Sequence, residues 1–105
     1  MRGDIYRLNT DPHARGHEQQ GARYAVVVQS EALLTSTLIA VPTSTSARPA
    51  AHRPEIRIGK QRSRVLTEQI QAVDPEKRFG THVGRLDREQ AADVEEALRL
   101  VLGLL

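Results

Sequence analysis

The sequence predicts a mainly β fold with one C-terminal α-helix. Three observations carry this. Five or six short strand-like runs are separated by turn residues. A single amphipathic repeat of helical period closes the chain. The 105 residues suffice for one domain with one modest core, so 1–105 is read as a single unit. Short strands followed by one helix suggest a strongly bent sheet or small barrel with the helix packed on it.

The elements follow in order. Asp4 to Leu8 alternates in polarity and reads as a strand. Asn9 to Ala22 carries Pro12, Gly16 and Gly21 without a period; so long a loop in so small a domain is expected to be functional or disordered. Tyr24 to Val28 is a β-branched run, hence a buried strand. Ser30 to Leu34 has room for one helical turn capped by Ser30. Thr37 to Val41 is a third strand, and Thr43 to Pro54 a polar loop. Glu55 to Ile58 and Arg64 to Val73 are strands around the Gly59-Lys60 turn, the second broken near Glu68-Gln69. Thr81 to Leu86 is the last strand. Asp87 then caps a helix, with Gln90 placed to reach back. Ala91, Val94, Leu98 and Val101 mark its apolar face, and Gly103 its end.

Composition narrows the chemistry. Two Tyr, one Phe and no Trp leave the core to aliphatic side chains. The absence of Cys excludes disulfides, thiolate nucleophiles and thiolate metal sites, and suits a reducing cytoplasm. No apolar stretch follows Met1-Arg2-Gly3-Asp4, and no apolar run is long enough to span a bilayer, so a cytoplasmic domain without membrane contact is expected. Net charge is only +2, but it is unevenly placed. Arg48, Arg53, Arg57, Lys60, Arg62 and Arg64 face one acid, Glu55, whereas the C-terminal segment is acidic. A basic middle suits a polyanion bound by phosphate neutralisation. The same pattern also describes a solvated loop in an Arg-rich chain, for Lys60 and Lys77 are the only lysines among 15 basic residues.

The second and third strands lie close in sequence and should pair antiparallel. A hairpin centred near Leu33 or Leu34 sets Arg23 against Thr43 or Ser44. A planar multi-donor guanidinium beside a hydroxyl is a candidate phosphate site. A slip of one residue exchanges the faces, so spacing leaves both hydroxyls open, and an ordinary edge-strand arginine fits the same spacing.

Several segments, in order, resemble the MazF/PemK toxin family. Glu18-Gln19-Gln20-Gly21-Ala22-Arg23-Tyr24 running into Ala25-Val26-Val27-Val28 resembles its acidic-Gln segment, glycine, Arg-Pro and Val-rich strand. Gly3-Asp4-Ile5-Tyr6 is similar to its Gly-Asp-Ile-Trp opening, and Val41-Pro42-Thr43-Ser44-Thr45 to its Val-Pro-x-Thr-Thr segment. Leu66-Thr67-Glu68-Gln69-Ile70 before Val73-Asp74, and Val83-Gly84-Arg85-Leu86 before a helix ending Leu102-Gly103-Leu104, complete the likeness. Tyr24 stands where the family has proline, and Ser44 where it has threonine.

The resemblance implies a small SH3-like barrel of five to seven short strands of the CcdB/MazF kind. It implies a homodimer with single-stranded RNA in a groove at the dimer face, and a cognate antitoxin whose acidic tail fills that groove. It places catalytic roles on Arg23, on Ser44 with Thr43 as the alternative hydroxyl, and on Glu18 as base or as orienter of Arg23. Gln19, Thr45, Arg53, Arg57 and Gln69 are then expected RNA contacts. No metal or cofactor is expected, because the 2′-OH of RNA is itself the nucleophile; products are a 2′,3′-cyclic phosphate and a 5′-OH. Two alternatives remain: a CcdB-like toxin that binds gyrase without catalysis, and a plain SH3-like binding module.

Other patterns are read as structural. Arg2-Gly3-Asp4 opens a strand. His13 and His17 are separated by Gly16 and preceded by Pro12, against a helical metal pair. His52 and His82 show no partner in the sequence and are expected on the surface. Glu89, Glu95 and Glu96 form the helix's solvated side.

Overall fold

The computed structural model describes residues 1–9 and 23–104. The expected long loop therefore lies outside the described residues beyond Asn9, as do Glu18, Gln19, His13 and His17. Among the described residues, seven strands form one bent antiparallel sheet: β1 (Asp4–Leu8), β2 (Arg23–Val27), β3 (Leu38–Ser44), β4 (Glu55–Ile58), β5 (Gln61–Val65), β6 (Gln71–Val73) and β7 (Phe79–Arg85). A 3₁₀ turn (Thr67–Gln69) separates β5 from β6, a single helical turn α1 (Pro75–Arg78) precedes β7, and α2 spans Arg88–Leu102.

The strand order is β4-β5-β3-β2-β1-β7, with β6 also pairing β3. β3 is the hinge of this arrangement. On one side it pairs with β2; on the other its start, Leu38 to Ala40, pairs with β6 and its end, Thr43 and Ser44, with β5. Pro42 sits between those two partners. It has no N–H to give, and its carbonyl accepts from Leu66 N–H at 2.9 Å. Its missing donor thus falls where β3 changes partner, which explains a proline inside a central strand. Two register shifts in the β1–β7 pairing bend the other end of the sheet.

Both faces of the central strands are covered, which is why Ala25 to Val28 is a continuous apolar run and not an alternation. One face carries Ile5, Val26, Val28, Val41, Ile56 and Val65 against Val94 and Leu98 of α2. The opposite face carries Leu8, Ala25, Ala40 and Val73, with Phe79 packed beside them.

The helix follows its sequence signals. Asp87 accepts from Gln90 N–H at 2.7 Å, and Gln90 Oε1 accepts from Asp87 N–H at 3.1 Å, completing a capping box. Gly103 adopts φ +69°, a left-handed stop that suits glycine. The buried stripe is Val94, Ala97 and Leu98, with Val101 half-buried; Ala91, expected on this face, is exposed and borders an open hollow beside Val94 and Leu86.

Three local expectations change. Ser30 to Leu34 is a reverse turn and not a helical one: Leu33 N–H donates to Ser30 O and Ala32 N–H to Ser30 Oγ. The Gln29 side chain satisfies the loop's backbone instead, donating to Leu33 O and accepting from Ile39 N–H. β3 continues through Ser44, beyond the expected end at Val41, since β5 supplies a partner for Thr43 and Ser44. The strand expected from Arg64 to Val73 is instead β5, from Gln61 to Val65, followed by the 3₁₀ turn and β6. The α1 turn, capped by Asp74 accepting from Glu76 N–H with Pro75 at its first position, was not anticipated.

Candidate active site

The β2–β3 register pairs Ala25 with Pro42, Val26 with Val41 and Val27 with Ala40, so the hairpin is centred between Leu33 and Leu34. Continued outward, the same register sets Tyr24 against Thr43 and Arg23 against Ser44. At this end the strands enclose an open cleft of about 360 Å³, lined by Arg23, Tyr24, Thr43, Ser44, Thr45, Gln61 and Ser63. Three strands build it: the start of β2 and the end of β3, with β5 as the further wall.

Arg23 Nη1 donates to Thr43 O at 3.3 Å, which ties the guanidinium to the strand that carries the hydroxyls. Burial lowers the Arg23 pKa below its usual value; arginine nonetheless stays protonated at neutral pH. Thr43 and Ser44 are equally buried, at 2 % exposure, so burial does not separate them. Their hydrogen bonds do. Thr43 Oγ1 donates to Tyr24 O at 3.4 Å, which uses its only proton. Ser44 Oγ accepts from Ser46 N–H at 3.2 Å and lies 3.5 Å from Ser46 Oγ.

The other expected contacts are scattered. Thr45 lines the cleft. Arg57 is exposed on β4 and Gln69 on the 3₁₀ turn, both outside the cleft lining. Arg53 is held by Glu68: Nη2 donates to Oε2 at 2.6 Å and Nε at 3.1 Å. Hydrogen bonding from Arg53 holds the Glu68 carboxyl below its usual pKa, against the opposing effect of burial. Arg53 Nη1 also reaches Arg48 O, and Arg64 Nη1 donates to Arg53 O at 2.8 Å. Thr67 Oγ1 donates to His52 O. The basic segment is thus fastened to the 3₁₀ turn by side chains drawn from both.

The two histidines acquire carboxylate partners that the sequence did not reveal, in separate networks. His52 Nε2 lies 3.5 Å from Glu68 Oε1, and His82 Nε2 lies 3.2 Å from Asp4 Oδ1. Asp4 is also bound by Arg85 Nε at 3.1 Å and by the terminal amine at 3.0 Å. Burial works against charge there, but hydrogen bonds from the amine and His82, with the charge of Arg85, hold its pKa below the usual value. With Asp4 so buried and Arg2 Nη1 donating to Val28 O, Arg2-Gly3-Asp4 is structural.

Sequence reasoning missed Tyr24, Gln61 and Ser63 as cleft residues. Gln61 and Ser63 are the polar members of one face of β5, and only the pairing of β5 with β3 turns that face toward Arg23.

A bent antiparallel sheet with a C-terminal helix is also the fold of MazF toxins of known structure. A MazF from Deinococcus radiodurans superposes with a TM-score of 0.81 at 26% identity, over 98% of this chain and 96% of that one. An endoribonuclease from a mycobacterial species, solved with its cognate antitoxin, gives 0.80 at 20% identity over 100% and 96%. In sequence, residues 1–102 match the family of PemK-like, MazF-like toxins of type II toxin-antitoxin systems. A Mycobacterium tuberculosis (strain ATCC 25618 / H37Rv) protein provisionally named toxin Rv3098A is 43% identical over 104 residues, 99% of this chain and 98% of its own length. The chain belongs to the PemK/MazF toxin family. These matches do not favour the gyrase-binding reading or that of a plain binding module.

Proposed function

We propose that this toxin is an endoribonuclease that cuts single-stranded RNA without a metal ion. The observation that carries the reading is the cleft in which the Arg23 guanidinium stands beside the hydroxyl-bearing end of β3. RNA brings its own nucleophile, so the protein has to position the chain, move protons and stabilise the charged phosphorane. Arg23 supplies charge and directed N–H donors to that phosphorane. Ser44 is the better hydroxyl of the two: Ser46 N–H occupies a lone pair of its oxygen, and its proton has only the 3.5 Å contact with Ser46 Oγ to give up for a non-bridging oxygen, whereas Thr43 spends its proton on Tyr24 O. Glu18 acts as base toward the 2′-OH or orients Arg23. The 2′-oxygen attacks phosphorus, the 5′-oxygen leaves, and the products are a 2′,3′-cyclic phosphate and a 5′-OH.

Gln19, Thr45 and Gln69 contact the nucleotides around the cut. Arg57 acts on phosphates farther away, while Arg53, paired with Glu68, orders the segment beside them. The toxin acts in the cytoplasm as a homodimer, and a cognate antitoxin silences it by laying an acidic tail over the same basic groove. The mycobacterial endoribonuclease solved with its antitoxin supports such pairing by analogy of fold.

The decisive experiment is incubation with single-stranded RNA in EDTA. The expected result is cleavage with cyclic-phosphate ends, and an intact oligonucleotide when the scissile position carries 2′-deoxyribose. Cleavage of the deoxy substrate would falsify attack by the 2′-OH, and no cleavage in EDTA but recovery with a divalent ion would remove the metal-free reading.

A further inference from the structure

The sequence singled out a basic middle segment, and the structure divides it in two. Arg53 and Arg64 are committed within the fold, one to Glu68 and the other to the Arg53 carbonyl. Arg57, Lys60 and Arg62 lie together on the β4–β5 hairpin and are exposed.

Arg57 and Arg62 are direct cross-strand partners, so their side chains leave the same face of the hairpin side by side. Like charges at directly opposed positions destabilise a strand pair. Relief within the protein is slight. Glu55 reaches Arg62 only at 4.0 Å, with both side chains well exposed, and neither the Arg57 nor the Lys60 side chain has a hydrogen bond or ion pair among the described residues. An anion laid across the pair removes the repulsion.

The hairpin's place in the fold indicates which anion. Strand alternation sends Gln61 and Ser63 of β5 into the wall of the cleft and Arg62 to the other face. The arginines therefore stand on the reverse face of the strand that walls the cleft, one position from Gln61 and Ser63, where a chain leaving the cleft over the hairpin would meet them. Their face offers no apolar anchor, because Ile56 is buried in the core and Ile58 packs against it. A peptide needs pockets for its side chains; a nucleic-acid backbone needs only spaced charge and N–H donors.

The geometry points to a phosphate track on the β4–β5 hairpin: Arg57 and Arg62, with Lys60 at the turn, hold the backbone of RNA that runs on from the cleft. The inference rests on the ribonuclease reading and adds to it a second, sequence-indifferent surface that sets affinity for longer substrates.

The test is equilibrium binding of a mixed-sequence 2′-O-methyl RNA of about twenty nucleotides, longer than the roughly 4–16 that one small binding fold covers, as a function of salt. Each lost phosphate contact lowers the log–log salt slope by about 0.7 for a single strand, so Arg57→Ala/Arg62→Ala should lower it by about 1.4. The same variant should melt no lower than the native protein, because it removes a repulsion. Lys77→Ala/Arg88→Ala, which removes two exposed charges elsewhere, should leave the slope nearly unchanged. An unaltered slope in the hairpin variant, or an equal fall in the control, overturns the track and leaves the cleft untouched. Weakened binding of a poly-glutamate peptide with an unaltered RNA slope assigns the surface to a protein partner and also overturns it. Failure of the native protein to bind the RNA at all overturns both readings.

Discussion

Arg23 carries the chemistry in this reading because it combines burial, a fixed donor and a neighbouring hydroxyl. Its contact with Thr43 O holds the guanidinium against β3 while the rest of the group lines the cleft. Arg23→Ala should lower turnover on RNA by on the order of 10²–10³, the usual cost of losing one donor aimed at transition-state charge. Its melting temperature should change little, since the bond to Thr43 O is a long one at 3.3 Å. The two hydroxyls should behave differently. Ser44→Ala removes the donor left over for substrate and should lower turnover. Thr43→Ala breaks the bond to Tyr24 O and should cost about 0.5–1.5 kcal/mol of stability, with a smaller effect on turnover. Rates and thermal melts measured on all three variants decide the matter. A folded Arg23→Ala protein with near-native turnover removes the site, and a larger loss of turnover in Thr43→Ala than in Ser44→Ala reverses the assignment of the hydroxyl.

At the scale of elements, α2 shows how local and tertiary terms combine. Its ends are set by the capping box at Asp87 and the left-handed Gly103, which act within a few residues. Its position is set by Val94, Ala97 and Leu98 against the sheet. Asp87→Ala should cost about 0.5–2 kcal/mol, the usual value of a lost N-cap. Leu98→Ala should cost about 2–5 kcal/mol, because the cavity it leaves lies under the sheet. Chemical denaturation compares the two. Equal losses would mean that α2 is held chiefly by its own ends and contributes little to the core. The same contrast explains the altered stripe: the helical period identified Val94 and Leu98, but docking angle decided that Ala97 is buried and Ala91 is not.

The whole molecule is small, and it exposes apolar side chains that a monomer of this size gains nothing by showing. Leu34 is 96 % exposed, and Leu100, Leu102 and Leu104 at the end of α2 are each at least half exposed. Such exposure suits association and accords with the proposed homodimer. Sedimentation at micromolar concentration should give about twice the chain mass, falling toward the monomer on dilution as mass action requires. A strict monomer that still cleaves RNA sinks the dimer and the shared groove with it.

By itself, the sequence determined the elements whose signals are local. Strands β1 and β4, the Gly59-Lys60 turn and both ends of α2 follow from alternation, turn residues and caps that act over a few residues. The family was also legible, because its motifs occur in order along the whole chain. Even the facing of Arg23 and the end of β3 was within reach, since a short hairpin leaves few registers open. The sequence could not choose between Thr43 and Ser44, because spacing does not say where a hydroxyl proton goes; the bonds to Tyr24 O and Ser46 N–H are what favour Ser44 in the proposed mechanism. Nor could it tell that Arg53 and Arg64 are spent inside the fold while Arg57 and Arg62 stand paired in solvent, or that β5 turns Gln61 and Ser63 toward the cleft. Most of those outcomes depend on partners from other elements, such as Glu68 for Arg53, Tyr24 for Thr43 and β3 for β5, which the folded sheet brings together.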